Sequence, residues 1–240
     1  MKLDKRNIDW VWVDLDDTIW DFKANSWEAL AHVYEYAHLE IAFGDVDTWR
    51  NLYQENNHRL WSLYNVGKIT KEYLMVERFR KVLADAGYEN EVAIKMSAEL
   101  SDVYLDKLAS LKTLVPGARE LLNYLKSQGY KIGVISNGFY EVQHRKMVSS
   151  DIVEYFDAVV LSDDIGVNKP DKRIFDHALK KSNALADCTL IIGDNPDTDI
   201  AGAVNAGWHA IYFNRNGEGE PISMDNAIEI FKLSEIQHIL

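Results

Sequence analysis

The chain has 240 residues, 47% of them hydrophobic, which predicts one large domain or a core that carries one insertion. Its formal net charge of −12 argues against a nucleic-acid polymer as partner, because such binding depends on lysine and arginine contacts to phosphate. A small phosphorylated ligand stays compatible with this charge, because one lysine, backbone amides and a metal suffice to hold it.

The first predicted strand covers residues 9–14 and runs directly into a cluster of acidic side chains. Asp14, Asp16 and Asp17 lie within four residues of one another, and Thr18 comes next. Carboxylates crowded at a strand end repel one another unless something neutralises them, and a hard divalent cation such as Mg²⁺ is the usual remedy. The simpler interpretation is a strand that ends in an acidic turn.

Residues 21–111 contain almost no strand or turn signals. They include no proline and only three glycines, and their apolar residues recur at helical spacing. Gly87 is expected to end the third helix of this segment. Four helices are predicted, over residues 23–41, 45–65, 70–86 and 90–109.

From Pro116 onward, predicted helices and strands alternate. Pro116 is expected at the first position of a helix that ends before Gly129. Residues 214–221 are predicted to form a loop ahead of a final helix. Further helices are predicted over residues 140–149, 171–182 and 197–205. Strands are predicted over residues 130–136, 158–161, 188–193 and 208–213.

Almost continuously apolar strands separated by helices are typical of a parallel sheet covered on both faces. Residues 9–14 belong to the same sheet, so the helical segment is an insertion after the first strand. We therefore expect an α/β fold with a Rossmann-like three-layer core over residues 1–19 and 112–240, and an all-helical insertion over residues 20–111.

Nothing in the sequence predicts export or membrane insertion. The first residues lack the apolar segment of a signal peptide, and no apolar run reaches the roughly 18 residues of a membrane span. The only cysteine, Cys188, permits no intramolecular disulfide. We expect a cytoplasmic monomer or homodimer with neither a membrane nor a nucleic-acid polymer as partner.

Two polar clusters follow later strands of the predicted sheet. Ser136, Asn137 and Gly138 can together donate several hydrogen bonds to one anion, although such residues also serve ordinary strand-to-helix turns. Lys169 precedes Pro170, which restricts its backbone and suits a fixed point charge. A solvated surface lysine ahead of a helix is the alternative for this residue.

The third later cluster again places several acids after an apolar strand. Asp194, Asp197 and Asp199 lie within six residues, and helix capping explains Asp197 but not all three. All four clusters occupy the carboxyl ends of strands in one parallel sheet, so the fold is expected to bring them into one crevice. Together they supply two carboxylates for catalysis, metal ligands, an anion-binding turn and a cation.

In order and in strand context, these clusters resemble the four motifs of the haloacid dehalogenase (HAD) superfamily. The motif residues are Asp14-Leu15-Asp16-Asp17-Thr18, Ser136, Lys169, and Gly193-Asp194 with Asp199. The resemblance covers nearly the whole chain and includes a helical cap after the first motif, of the type called C1. The four motifs are highly specific as a set.

The resemblance implies a role for each acidic residue. Asp14 would be the nucleophile that forms an aspartyl-phosphate, and Asp16 the general acid and then the general base. Asp14, the backbone carbonyl of Asp16, and Asp194 would hold Mg²⁺. Thr18 would support this arrangement. Asp199 would support the waters of the metal or orient the lysine of the third motif.

The resemblance also implies an anion-binding set. Ser136, Lys169 and the amides of Asn137 and Gly138 would bind the phosphoryl oxygens. Cationic neutralisation of the transferring group is where most of the rate gain in phosphoryl transfer is expected.

The acid at position 16 favours phosphoryl transfer, because the pattern of the haloacid dehalogenases has a tyrosine at the corresponding position. A narrower resemblance joins Asp14–Phe22, Ser136–Phe139 and Gln143–Lys146 to HAD nucleotidases of the YjjG type, which act on nucleoside monophosphates. We therefore expect a Mg²⁺-dependent phosphomonoesterase acting on a nucleoside monophosphate or another small phosphorylated metabolite. The alternatives are a phosphomutase of the β-phosphoglucomutase type, a 2-haloacid dehalogenase and a non-catalytic binding protein on the same scaffold.

Aromatic residues of the helical insertion allow two interpretations. Rings such as Trp27, Trp49 and Trp61 can stack on a nucleobase or fill the interior of the insertion itself. Trp20 and Phe22 are nearest to the nucleophile in sequence and are the first candidates for lining the entrance on the cap side.

Overall fold

The computed structural model describes residues 7–219 and 221–240, which form two compact units. One unit joins the residues up to Phe22 with Lys112–Leu240, and the other is Lys23–Leu111. No helix among the described residues combines the length and the apolar character needed to cross a membrane.

The first unit contains a six-stranded sheet whose paired strands all run parallel, in the order β3-β2-β1-β4-β5-β6. The strand order reverses next to β1, which pairs with β2 on one side and with β4 on the other. In such sheets ligands bind outside the carboxyl ends of the strands at this reversal. The strands are β1 Trp10–Val13, β2 Lys131–Ser136, β3 Ala158–Leu161, β4 Thr189–Gly193, β5 His209–Phe213 and β6 Ala227–Ile230.

The sheet forms because its strands are apolar and almost fully buried. Every residue of β4 is buried, as are five of the six residues of β2. Trp12 and Trp208 contribute two fully buried indoles to a core that also contains Phe175. This Rossmann-like parallel sheet with helices confirms the predicted fold class. Helices of this unit are α6 Ala118–Ser127, α7 Tyr140–Ser149, α8 Ser162–Ile165, α9 Lys172–Ser182, α10 Ala201–Asn205 and α11 Ile236–Ile239.

The second unit is helical and has an aromatic interior of its own. Trp49 is fully buried and its indole stacks on Phe79 with ring centroids 6.0 Å apart. Tyr53 and Tyr104 complete this cluster, so these rings serve the packing of the helical unit. Its helices are α1 Phe22–Tyr36, α2 Glu40–Phe43, α3 Val46–Asn65, α4 Lys71–Asp85 and α5 Asn90–Ser110. The first residue of α1, Phe22, belongs to the first unit.

The chain leaves and re-enters the first unit at neighbouring points. The backbone N–H of Asp21 donates to the carbonyl of Thr113 at 3.0 Å, and that of Val115 donates to Ile19 at 2.9 Å. Asp21 also pairs with Arg215 at 2.9 Å. The segments that lead to and from the helical unit are therefore hydrogen-bonded to each other.

Several predicted elements need correction. The helix predicted over 23–41 ends at Tyr36, because the backbone enters the left-handed region at His38. Pro116 does not open a helix, since α6 starts at Ala118 behind Gly117, which has a φ of 85°. The helix predicted over 197–205 starts with a wider π turn, Pro196–Ile200. The short helix α8 and the edge strand β6 were not predicted, and the final helix is a single turn.

A close approach between β1 and β2 explains the glycine at position 133. A Cβ atom there would overlap the indole of Trp12. We expect Gly133→Ala to lower the free energy of unfolding by about 1–3 kcal/mol, the usual cost of overpacking a core. Urea unfolding checks this value. In a Trp12→Leu background the same substitution should cost less, and an equal cost in both backgrounds would contradict the explanation.

Candidate active site

The four polar clusters meet at the carboxyl end of the sheet. Asp14 directly follows β1, Ser136 ends β2, and Asp194 directly follows β4. The backbone N–H of Asp14 still donates to the carbonyl of Ile192 at 2.9 Å, which keeps the ends of β1 and β4 in register. Lys169 comes from the loop between α8 and α9 and contacts Asp14 directly. The predicted crevice is therefore assembled from residues far apart in sequence.

Lys169 lies at the centre of this site and is almost fully buried. Its ammonium contacts Asp14 Oδ1 at 2.5 Å, Asp199 Oδ1 at 2.6 Å and the carbonyl of Ile135 at 2.8 Å. The contacts with Asp14 and Ile135 are hydrogen bonds, and the contact with Asp199 is an ion pair.

The carboxylates of Asp14, Asp194 and Asp199 lie close enough for one oxygen of each to fall within 4.8 Å of the others. Burial raises the pKa of Asp14 to about 7 although Lys169 opposes the shift. Burial also raises the pKa of Asp194 well above its usual range, with the charges of Asp14 and Asp199 adding to the effect. Burial alone would lower the pKa of Lys169, but Asp14 and Asp199 outweigh it and raise that pKa.

Smaller contacts hold the acidic residues in place. The hydroxyl of Thr18 donates to Asp194 Oδ1 at 3.2 Å, and the backbone N–H of Asn195 donates to Asp199 Oδ2 at 3.1 Å. Gly193 has no side chain where the carboxylate of Asp199 packs against its backbone. The third acidic cluster is thus shaped around Asp199 as well as around Asp194.

The turn after β2, which was predicted to bind an anion, is tied to the loop that carries Lys169. The Asn137 side chain accepts from the backbone N–H of Lys169 at 2.6 Å and donates to the carbonyl of the same residue at 3.0 Å. The Ser136 hydroxyl oxygen accepts from the N–H of Gly138 at 3.2 Å and from Gln143 at 2.8 Å. A hydroxyl has two acceptor positions and one donor, so the Ser136 proton is left to donate to a ligand.

Asp16 is held by two residues of α7. Lys146 Nζ lies 2.8 Å and 3.1 Å from the two carboxylate oxygens of Asp16, and Gln143 Nε2 lies 2.9 Å from one of them. Trp20 and Phe22 lie against Lys146, and Trp20 has no solvent-exposed surface. The predicted role of these two aromatic residues at the entrance stays a prediction.

Sequence reasoning included Gln143 and Lys146 in the narrower resemblance but gave them no function, and it expected the Asn137 side chain to donate to an anion, whereas that side chain is bonded to the Lys169 backbone. Gln143 and Lys146 are three residues apart in a helix that begins just after the second motif, so they share one helix face. Their burial on that face is the signal that distinguishes them from ordinary surface residues, and only the structure supplies it.

A family model described as haloacid dehalogenase-like hydrolase matches residues 8–207. The chain belongs to this hydrolase family. The match covers most of the chain, including every motif residue described above, and it confirms the resemblance seen in the sequence.

Individual relatives extend over nearly the full length of this HAD-like hydrolase. The pyrimidine 5'-nucleotidase YjjG of Escherichia coli strain K12 is 30% identical over 233 residues, covering 97% of each chain. The solved structure of the Bacillus subtilis HAD protein YfnB, bound to magnesium, is 28% identical with a TM-score of 0.83 and covers 97% of this chain and 98% of that chain. A solved 2-haloacid dehalogenase of Pseudomonas syringae pv. tomato DC3000 is 28% identical with a TM-score of 0.68 and covers 97% of each chain.

The raised pKa of Asp14 makes the stability of the metal-free protein depend on pH. Its pKa is about 7 in the folded state against an ordinary value of 3.8, so the folded state holds the proton over a range where the unfolded chain has lost it. The free energy of unfolding should therefore fall as pH rises from 3.8 to about 7, by at most about 4 kcal/mol from this residue.

Denaturant unfolding in EDTA across this pH range measures the effect. The Asp14→Asn variant lacks the titrating group and should give a flatter profile than the unsubstituted protein. A profile that falls equally steeply in both proteins would contradict the assignment.

Proposed function

We propose that this protein is a Mg²⁺-dependent phosphomonoesterase that works through an aspartyl-phosphate on Asp14, with nucleoside 5'-monophosphates as substrates. The observation that carries the proposal is the close group of buried Asp14, Asp199 and Lys169 with half-buried Asp194, and with Asp16 two residues from the nucleophile. The name of the relative YjjG supports the nucleotide as substrate. A cytoplasmic location is part of the proposal, since the lone Cys188 permits no intramolecular disulfide.

The charges in the site fit a divalent cation. Three carboxylates face a single ammonium, which leaves an excess of two negative charges when all are ionised. Burial is the main reason why the pKa values of Asp14 and Asp194 are raised in the protein alone, and the charges of neighbouring carboxylates add to the rise. Asp14, Asp194 and the backbone carbonyl of Asp16 would hold Mg²⁺, which prefers oxygen ligands. When bound, the cation supplies positive charge at the transferring phosphoryl group.

The protein residues divide the reaction into two half-reactions. In the first, a carboxylate oxygen of Asp14 attacks phosphorus, the bond from phosphorus to the ester oxygen breaks, and Asp16 gives its proton to the leaving alcohol. In the second, Asp16 takes a proton from water as the water oxygen attacks the aspartyl-phosphate. The bond between phosphorus and the Asp14 oxygen then breaks and inorganic phosphate leaves. Asp14 is then a carboxylate again, and Asp16 holds the proton taken from water.

The anion-binding residues act on the phosphoryl oxygens throughout. The hydroxyl proton of Ser136 is the donor that its neighbours leave available. Lys169 supplies positive charge next to Asp14, which lowers the repulsion between the nucleophilic carboxylate and an anionic phosphate. Asn137 holds the Lys169 backbone and so acts indirectly.

A dehalogenase is the second candidate, favoured by the solved 2-haloacid dehalogenase among the structural neighbours. The acid at position 16 counts against it, because displacement of a halide by Asp14 requires no proton donor for the leaving group. Halide release from a 2-haloacid in EDTA would favour this candidate. A phosphomutase would instead convert β-glucose 1-phosphate without net release of phosphate.

Phosphate release from a panel of nucleoside monophosphates, sugar phosphates and p-nitrophenyl phosphate tests the proposal. We expect turnover with Mg²⁺ that is highest on nucleotides and is abolished by EDTA and by Asp14→Asn. Asp85→Asn alters an exposed acid in the helical unit, paired with Lys81, and should leave turnover unchanged. Turnover of sugar phosphates alone would rule out nucleotides as the substrates. Activity that survives both EDTA and Asp14→Asn would rule out the proposed mechanism.

Calorimetric titration with Mg²⁺ tests the cation site without reference to activity. Asp194→Asn should weaken binding at least about tenfold, since it removes a charged ligand, whereas Asp85→Asn should not. Because protons compete for carboxylates whose pKa values are raised, affinity should be lower below pH 7 than above it. Equal affinity in both variants would place the cation elsewhere.

A further inference from the structure

The carboxylate of Asp16 is fixed by a cation that is itself almost fully buried. The Lys146 side chain is 3% exposed, whereas the Asp16 side chain is 30% exposed. Lys146 touches both carboxylate oxygens of Asp16, so it fixes the orientation of the whole group and not only one oxygen. We therefore expect Lys146 to act on a bound ester through Asp16.

Gln143 connects Asp16 to the phosphate-binding turn. Its amide nitrogen has two donors, and they go to Asp16 Oδ2 at 2.9 Å and to Ser136 Oγ at 2.8 Å. A side chain at position 138 would overlap the Gln143 amide, so Gly138 makes room for it. The proton-transferring group of the first motif and the hydroxyl of the second are thus held by one side chain.

Aromatic rings fix the lysine in turn. The ammonium of Lys146 lies 4.5 Å from the ring centroid of Trp20 and 5.3 Å from that of Phe22, within the range of cation–π attraction. The Trp20 indole N–H donates to Ser150 Oγ at 3.1 Å, just beyond the end of α7. The lysine is therefore held between these two rings and the carboxylate of Asp16.

These contacts leave Asp16 able to exchange a proton. A carboxylate offers about four acceptor positions, and Lys146 and Gln143 occupy three. The remaining position, on Oδ1, can carry the proton that Asp16 gives to the leaving alcohol oxygen and can accept a proton from water.

We propose that Lys146 and Gln143 are positioning residues that orient Asp16 for proton transfer, and that they thereby adapt the site to phosphate esters of alcohols. This inference rests on the proposed phosphomonoesterase function. An alkoxide is a poor leaving group and must be protonated as its bond to phosphorus breaks. A p-nitrophenolate ion leaves without a proton, so its ester does not need a correctly oriented Asp16.

The comparison of these two ester types isolates the positioning role. We expect Lys146→Met to lower kcat/KM for thymidine 5'-monophosphate about 100-fold, the low end of the contribution of a general acid. For p-nitrophenyl phosphate the fall should be at most about threefold, because kcat/KM reports the first transfer only and that step needs no proton donor. Lys146→Arg keeps the charge and should recover most of the lost kcat/KM.

Matched controls separate this role from a general loss of structure. Lys126→Met removes an exposed lysine that pairs with Asp157 and should change neither kcat/KM value. Gln143→Leu removes one of the contacts and should show the same selectivity as Lys146→Met to a smaller degree, which provides a second variant if Lys146→Met does not fold. An equal fall on both esters, or no fall on either, would overturn the proposal.

A crystal structure of Lys146→Met gives a readout independent of catalysis. We expect the Asp16 carboxylate to leave the position that it has in the unsubstituted protein, and an unchanged position would overturn the positioning role. If the unsubstituted protein hydrolyses no phosphate ester at all, the proposed function fails. The crystallographic comparison still decides whether Lys146 holds Asp16.

Discussion

The site depends on one buried ammonium. Lys169 contacts carboxylates that follow β1 and β4, and neither of those groups could lie so deep without a positive charge beside it. A buried charge costs several kcal/mol unless it is well paired, so the lysine and the carboxylates each offset the cost of burying the other. The register of β1 with β4 and the Asn137 contacts with the Lys169 backbone both bring these partners together.

The same pairing leaves the site with a net negative charge. One ammonium cannot neutralise three carboxylates, and the surplus negative charge would repel an anionic substrate. A bound cation corrects the charge and attracts the anion at the same time. Electrostatics thus links the metal and substrate requirements of the proposed function.

Much of the fold could be predicted because the strands of a parallel sheet covered on both faces are continuous apolar runs. The observed strands β1 to β5 lie within one residue of the predicted bounds. Strand β6 gave too weak a signal, since Ala227–Ile230 contains only four residues at the sheet edge and is only partly buried. The early end of α1 carries no glycine or proline that could announce the turn at His38.

Asp14, Ser136 and Asp194 could be predicted because they lie at strand ends, which the parallel topology brings together. Lys169 follows β3 only after the unpredicted helix α8. The contacts of Gln143 and Lys146 with Asp16 could not be predicted, because they join positions about 130 residues apart. Two polar residues three apart on a helix usually face solvent. Whether they face solvent or a carboxylate depends on how α7 packs, which no local pattern encodes.

The hydrogen bonds that join the segments around Asp21 and Thr113 affect how freely the size of the helical insertion can change. For an insertion whose two ends are adjacent, the entropic cost of loop closure grows only slowly with length, by about 0.6 kcal/mol for each doubling. The sheet and the candidate catalytic residues at its strand ends therefore impose no fixed size on the helical unit. Relatives with the same core could carry shorter, longer or differently folded insertions at this point, and substrate choice could diversify while the chemistry of the strand ends stays the same.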